Sequence, residues 1–239
     1  MKHVGLPIQI DMDGISIEIV RKPIKHMYMR ACATSGDIRV TAPLKMPLHT
    51  IQNHLSSKRD WIDKVRTRIA RRTKPCPIKM ESGEHIPFLG ETYPLMIHGH
   101  AAVNRLMIDD SGVMHCFTKT TSHDDRVKSL HNWYKQQMQA LLPELIQKWE
   151  LIIGVSVLSW GIKPMKTRWG SCNVVARRIS LNLHLIKSPL QCLEYVLVHE
   201  LVHLLEANHS PRFYALMTRF MPAWKAHQKQ LESTGSLAS

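Results

Sequence analysis

The stretch VLVHELVHLLEANHS, residues 196–210, carries His199, Glu200, His203 and His209. His199 and His203 are four positions apart, so on an α-helix they share a face and can point at one ion. Zn2+ accepts neutral imidazole nitrogen and prefers tetrahedral coordination. Glu200 follows the first imidazole directly. From there its carboxylate is poorly placed to share the ion but can reach a water bound to it. This is the H-E-x-x-H arrangement, in which the carboxylate serves as general base in metal-assisted hydrolysis. The competing reading is a buried helix whose histidines are structural, and a chain with 15 His offers chances for such a match.

His209 weighs against chance. A catalytic zinc site takes a third protein ligand and keeps one position open. Asn208 tolerates the left-handed conformation that ends helices, so the chain can turn after Ala207 and bring His209 back to the ion. Ser210-Pro211 then reads as an N-cap and first helical residue, opening a helix through RFYALMTRF. Glu206 competes, since it lies on the face of His199 and His203, either as ligand or as the partner of one. Glu232 and His227 are more remote candidates. His209 is the expected third ligand.

The elements that must position these groups follow from hydropathy. Leu193, Val196, Leu197, Val198, Leu201, Val202, Leu204 and Leu205 make the helix over 189–207 apolar nearly all round, hence buried. Before it, VSVLSWGIKPMKTRWGSC and RRISLNLHLI read as two or three strands. A helix over 124–151 turns Val127, Leu130, Tyr134, Leu141, Leu145 and Trp149 inward. Residues 7–43 alternate in short runs split by Asp13-Gly14 and Ser35-Gly36-Asp37, a strand and hairpin pattern. An amphipathic helix over 48–72 carries Ile51, Leu55, Ile62, Val65 and Ile69 on one face and is ended by TKPCP. Strand-like pieces, among them HIPFLGETYPLMI and GVMHCF, lead to residue 118. The fold class is α+β. Residues 1–120 are expected to form a β-rich region with one basic amphipathic helix, 121–232 a helix, sheet and metal-helix core, and 233–239 a disordered tail.

At 239 residues and 44% hydrophobic composition the chain can bury a substantial core. It has neither a long apolar run nor the apolar segment of a signal peptide. Cys32, Cys76, Cys116, Cys172 and Cys192 are scattered, with no C-x-x-C, which points to reduced thiols and a cytoplasmic protein.

The sequence resembles the YgjP-like zinc metallopeptidases, relatives of the SprT-like and WLM peptidases. The likeness lies in RVTAP near residue 40, SSKRDWI, FLGETYPL, MKTRWGSC, ISLNLHLI and YVLVHELVHLLEANHSPRFYALM, and runs from about residue 10 to 230. It implies a zincin-like core, Zn2+ held by His199, His203 and His209, Glu200 as catalytic base, and a peptide or protein substrate. An extended substrate is expected along the strand containing ISLNLHL. Candidates for the oxyanion stabiliser are Tyr195, Tyr214, His184, His227 and Arg168.

Two further signals need placing. In RWGSC, Arg168 or Cys172 could face the cleft, Cys172 even as a ligand. The favoured reading is a tight turn, with Gly170 at positive φ and Trp169 in the core. The formal net charge is +13, and Lys58, Arg59, Lys64, Arg66, Arg68, Arg71 and Arg72 line the outer face of the 48–72 helix. Such a stripe either solvates the helix or makes weak contact with nucleic acid. The alternative to a peptidase is thus a basic nucleic-acid-associated protein with a mainly structural zinc, which would need a fourth ligand.

Overall fold

The structure, a computed structural model, describes residues 7–12, 14–32, 37–70, 78–119 and 122–233, without the side chains of 68–70. The chain divides into two compact units, one up to Pro75 and one from Cys76 to Leu237.

In the first unit, β1 (Ile8–Met12), β2 (Ile15–Lys22), β3 (Tyr28–Ala31) and β4 (Ile38–Pro43) form one sheet in the order β1-β2-β4-β3. Strand alternation puts Ile15, Ile17 and Ile19 of β2 and Ile38, Val40 and Ala42 of β4 on one buried face. Ile51, Leu55 and Ile62 close that core. The single helix predicted over 48–72 is two, α1 (Leu48–Ser57) and α2 (Arg59–Ala70). Ser56 Oγ and Ser57 Oγ donate back to the carbonyls of Gln52 and His54, and Lys58 N–H bonds to Leu55 O at 3.0 Å. Those hydroxyls compete with the helical ladder and break it at Lys58. On the basic stripe, Arg59 pairs with Asp63. The Arg68 side chain, Arg71, Arg72, TKPCP, Asp13 and the turn at Ser35-Gly36 lie outside the described residues, as does the tail from residue 234.

The second unit opens with a sheet of order β5-β6-β8-β7, made of β5 (His85–Phe88), β6 (Glu91–His98), β7 (Arg105–Ile108) and β8 (Met114–Phe117). The 31-residue α3 (His123–Ile153) follows, its stripe of Leu130, Trp133, Tyr134, Met138, Leu142, Ile146, Trp149 and Ile153 buried. It ends at Gly154 in the left-handed conformation, as a helix C-terminus favours. Next come β9 (Ser159–Lys163), β10 (Gly170–Asn173) and β11 (Arg178–Asn182), ordered β10-β11-β9, with β11 parallel to β9 and antiparallel to β10. LHLI, predicted as strand, is a 3-10 helix (Leu183–Lys187) because the Asn182 side chain accepts the N–H of His184 and caps it. Helices α4 (Leu190–Val202), α5 (Pro211–Phe220) and α6 (Trp224–Ser233) complete the unit.

One core joins all of this. Met80, Ile86, Leu95, Leu106, Met114 and Cys116 share it with the buried residues of α3 and α4. The division therefore falls at residue 75, where the sequence reading placed it at 120. The β5–β6 hairpin also docks the segment leading into α4 directly. Leu89 and Gly90 both take positive φ, Leu89 N–H donates to Ile186 O, and a Cβ on Gly90 would meet Pro189 at 2.7 Å. Among the described residues, no helix is long and apolar enough to cross a membrane.

Candidate active site

Helix α4 stops earlier than predicted, at Val202, with His203 as its cap residue. The next bonds are one residue tighter, Leu204 N–H to Leu201 O (3.0 Å) and Leu205 N–H to Val202 O (2.9 Å). This tightening turns the chain, and Asn208 takes no left-handed conformation. The turn leads to Ser210, whose hydroxyl accepts from Phe213 N–H and caps α5, with Pro211 at its first position. Both features were legible in the sequence.

The outcome is convergence. His199, His203 and His209 each offer a ligand atom, and these atoms all lie within 4.8 Å of one another. Nε2 of His209 is 3.0 Å from Nε2 of His199. Nδ1 of His203 lies 3.1 Å from the carbonyl of Glu206. Donating there fixes the tautomer and leaves Nε2 unprotonated for an ion. Glu206 thus serves through its backbone, while its carboxylate reaches toward Arg212 at 4.0 Å. Phe213, fully buried, floors the group, its ring 4.9 Å from His199, 4.7 Å from His203 and 4.8 Å from His209. Burial, with the neighbouring imidazoles adding to it, pushes the His199 pKa down to about 3. Burial lowers that of His203 too. Neutral imidazoles are the form that binds a metal.

Glu200 is only 5% exposed. Among the described residues no hydrogen bond reaches its carboxylate. Burial raises its pKa to about 8, opposed by the charge of Arg168. Both residues line a cleft of about 490 Å³ together with the three histidines, Tyr195 and residues 169–172. Cys172 stays a thiol there, its pKa raised to about 11 by burial and by Glu200. Among the described residues it is not part of the group that could hold a metal ion. Of the oxyanion candidates, Arg168 and Tyr195 line the cleft; Tyr214, His184 and His227 do not.

Gly170 is not at positive φ, contrary to the turn expected of it. What demands glycine is proximity, because a Cβ there would lie 2.4 Å from Glu200 Oε1. Trp169 is half-buried against the core, as expected. The sequence reading missed Asn182, which is fully buried. Its Nδ2 donates to Met165 O (2.9 Å) and Arg168 O (3.0 Å), and its Oδ1 accepts from Met165 N–H and His184 N–H. Its backbone N–H also bonds to Trp169 O at 2.8 Å. It therefore holds the segment that delivers Arg168 and Gly170 to the cleft. A buried amide with every bond made was foreshadowed only by an Asn standing in an apolar run.

An α+β core thus carries three convergent imidazoles on one cleft with a buried carboxylate, a donor set that could hold a metal ion. The chain belongs to the YgjP-like family, whose metallopeptidase domain matches residues 27–234. The crystal structure of the metallopeptidase zymogen of Pyrococcus abyssi abylysin is a partial structural match, with a TM-score of 0.37 and 20% sequence identity, over 39% of this chain and 94% of that one. Among curated proteins, none matches.

Proposed function

We propose that this metallopeptidase holds Zn2+ through His199, His203 and His209 and cleaves peptide bonds with Glu200 as general base. The observation that carries the reading is a buried carboxylate that, among the described residues, has no hydrogen-bonded partner and opens on the same cleft as three convergent imidazoles. The donor set suits the ion, since all three ligands are imidazoles and His203 is oriented through Glu206 O. When bound, the ion supplies a Lewis-acidic charge that polarises a carbonyl, acidifies water and draws the Glu200 pKa down. Glu200 takes a proton from the attacking water and delivers it to the leaving nitrogen. Arg168 and Tyr195 are the cleft residues placed to steady charge on the carbonyl oxygen.

The extended substrate expected along β11 is reassigned to β10. Strand β11 lies between β9 and β10, whereas β10 is an edge strand whose Gly170, Ser171 and Cys172 line the cleft. An edge strand offers unpaired backbone groups to an incoming segment. A structural zinc in a nucleic-acid-associated protein would call for a fourth protein ligand. Among the described residues the group able to hold an ion has three. Elemental analysis of the purified protein is the direct test. It should find about one zinc per chain, as a three-ligand site with an open position requires. Chelation should stop hydrolysis of unfolded casein, and zinc should restore it. Metal-free protein that cleaves casein equally well would refute the proposal.

A further inference from the structure

Strand β10 begins at Gly170, against α4. A Cβ built on this glycine lies 2.4 Å from Glu200 Oε1, 2.8 Å from Cγ and 2.9 Å from Cδ. These separations are inside van der Waals contact, so a side chain at 170 must displace Glu200. The backbone makes no such demand, since Gly170 is not in the left-handed region. Gly161 in β9, by contrast, has open space where its Cβ would be. Among the described residues, the three atoms nearest a Cβ at 170 all belong to the Glu200 side chain.

Turning the carboxylate alone does not relieve the clash, because Cγ lies inside contact distance as well as Oε1 and Cδ. The contact is held from the other side as well. Asn182 pins the carbonyls of Arg168 and Trp169, the two residues immediately before Gly170. Strand β11 then fixes Gly170 opposite Leu181.

We infer that Gly170 is a positioning residue for hydrolysis, its bare Cα letting the edge strand press on Glu200 and set the carboxylate beside the imidazoles. This rests on Glu200 being the base. Misplacing a reacting group by about 1 Å can cost on the order of 100-fold in rate.

The experiment compares Gly170→Ala with Gly161→Ala in three backgrounds, Glu200, Glu200→Gln and Glu200→Ala. The readouts are zinc content, hydrolysis of fluorescein-labelled unfolded casein, and the urea midpoint of the zinc-loaded and zinc-stripped protein. Gly170→Ala should keep its zinc and lose about 10- to 100-fold in kcat, with KM within about twofold. Gly161→Ala should leave both parameters unchanged. The urea midpoint should fall on Gly170→Ala when position 200 is Glu or Gln. It should not move when position 200 is Ala, because the space the new Cβ needs is then free. An equal midpoint shift in all three backgrounds overturns the inference, as does undiminished kcat in Gly170→Ala. If Glu200→Gln cleaves casein as fast as wild type, the base reading falls and this inference with it. An inactive Glu200→Gln beside a fully active Gly170→Ala leaves the base reading standing and removes Gly170 alone. Should wild type leave casein intact, the midpoint comparison decides.

Discussion

Glu200 and His203 sit three positions apart and are proposed to do different work, so their substitutions should fail differently. Glu200→Gln keeps side-chain size but cannot accept a proton near neutral pH. Zinc content and Tm are expected to stay near wild type, while casein hydrolysis falls by at least about 100-fold, as for loss of a general base. His203→Ala removes a ligand, so zinc should be lost first and activity as a consequence. Elemental analysis beside a rate assay separates the two. Zinc loss in Glu200→Gln would make that residue a ligand or an anchor. Neither substitution tests Phe213, whose ring contacts all three imidazoles and limits how far they can rotate.

At the scale of elements, the segment from Met165 to Gly170 is held by a side chain in another strand. Asn182→Asp keeps the acceptor but loses the two donations from Nδ2 and places a charge at a fully buried position. The expected cost is at least about 2 kcal/mol, seen as a fall in Tm of roughly 4 °C or more. An unchanged Tm would mean that the segment is held otherwise. The turn between β7 and β8 has an acid-sensitive clasp. Asp109 accepts from His115 Nε2 (2.9 Å), Val113 N–H (2.9 Å) and the Ser111 hydroxyl (2.7 Å). The hydrogen bond with His115, then those with Val113 and Ser111, hold its pKa well below the ordinary 3.8. With the folded pKa depressed, the unfolded chain takes up the proton first. The stabilisation is complete above the ordinary value and disappears as pH falls through the folded one. Asp109→Asn lacks it at every pH. The Tm gap between wild type and this variant should therefore be open at about pH 5 and narrow progressively in stronger acid. A gap that widens below the ordinary value of 3.8 would contradict the assignment.

Over the whole molecule, two separate cores predict two unfolding events. One is built on β2, β4, α1 and α2, the other on α3, α4 and the remaining sheets, and among the described residues no buried residue belongs to both. Calorimetry should resolve two transitions, since units with separate cores need not unfold as one. All three proposed ligands lie in the second unit. Chelation should thus lower one transition and leave the other in place, because a ligand stabilises only the state that binds it. A single transition that moves as a whole would show the units to be energetically coupled.

Local pattern determined much of this. The four-residue spacing of His199 and His203, the Ser210-Pro211 helix start and the strand alternation around Ile17 and Val40 are properties of neighbouring residues, and they appear as read. So does the long α3, because its apolar period persists over many turns. The break at Lys58 and the early end of α4 are local as well, but they are changes of hydrogen-bond register that hydropathy does not encode. What depended on distant partners was decided only by the tertiary structure. The grouping of residues 78–119 with the larger core depends on which surface their apolar faces meet. Asn182 shows its purpose only once Met165 and Arg168 are brought beside it. Gly170 had suggested a turn because glycine permits positive φ. The fold instead uses its missing side chain, since a residue thirty positions later on α4 fills the space a Cβ would need.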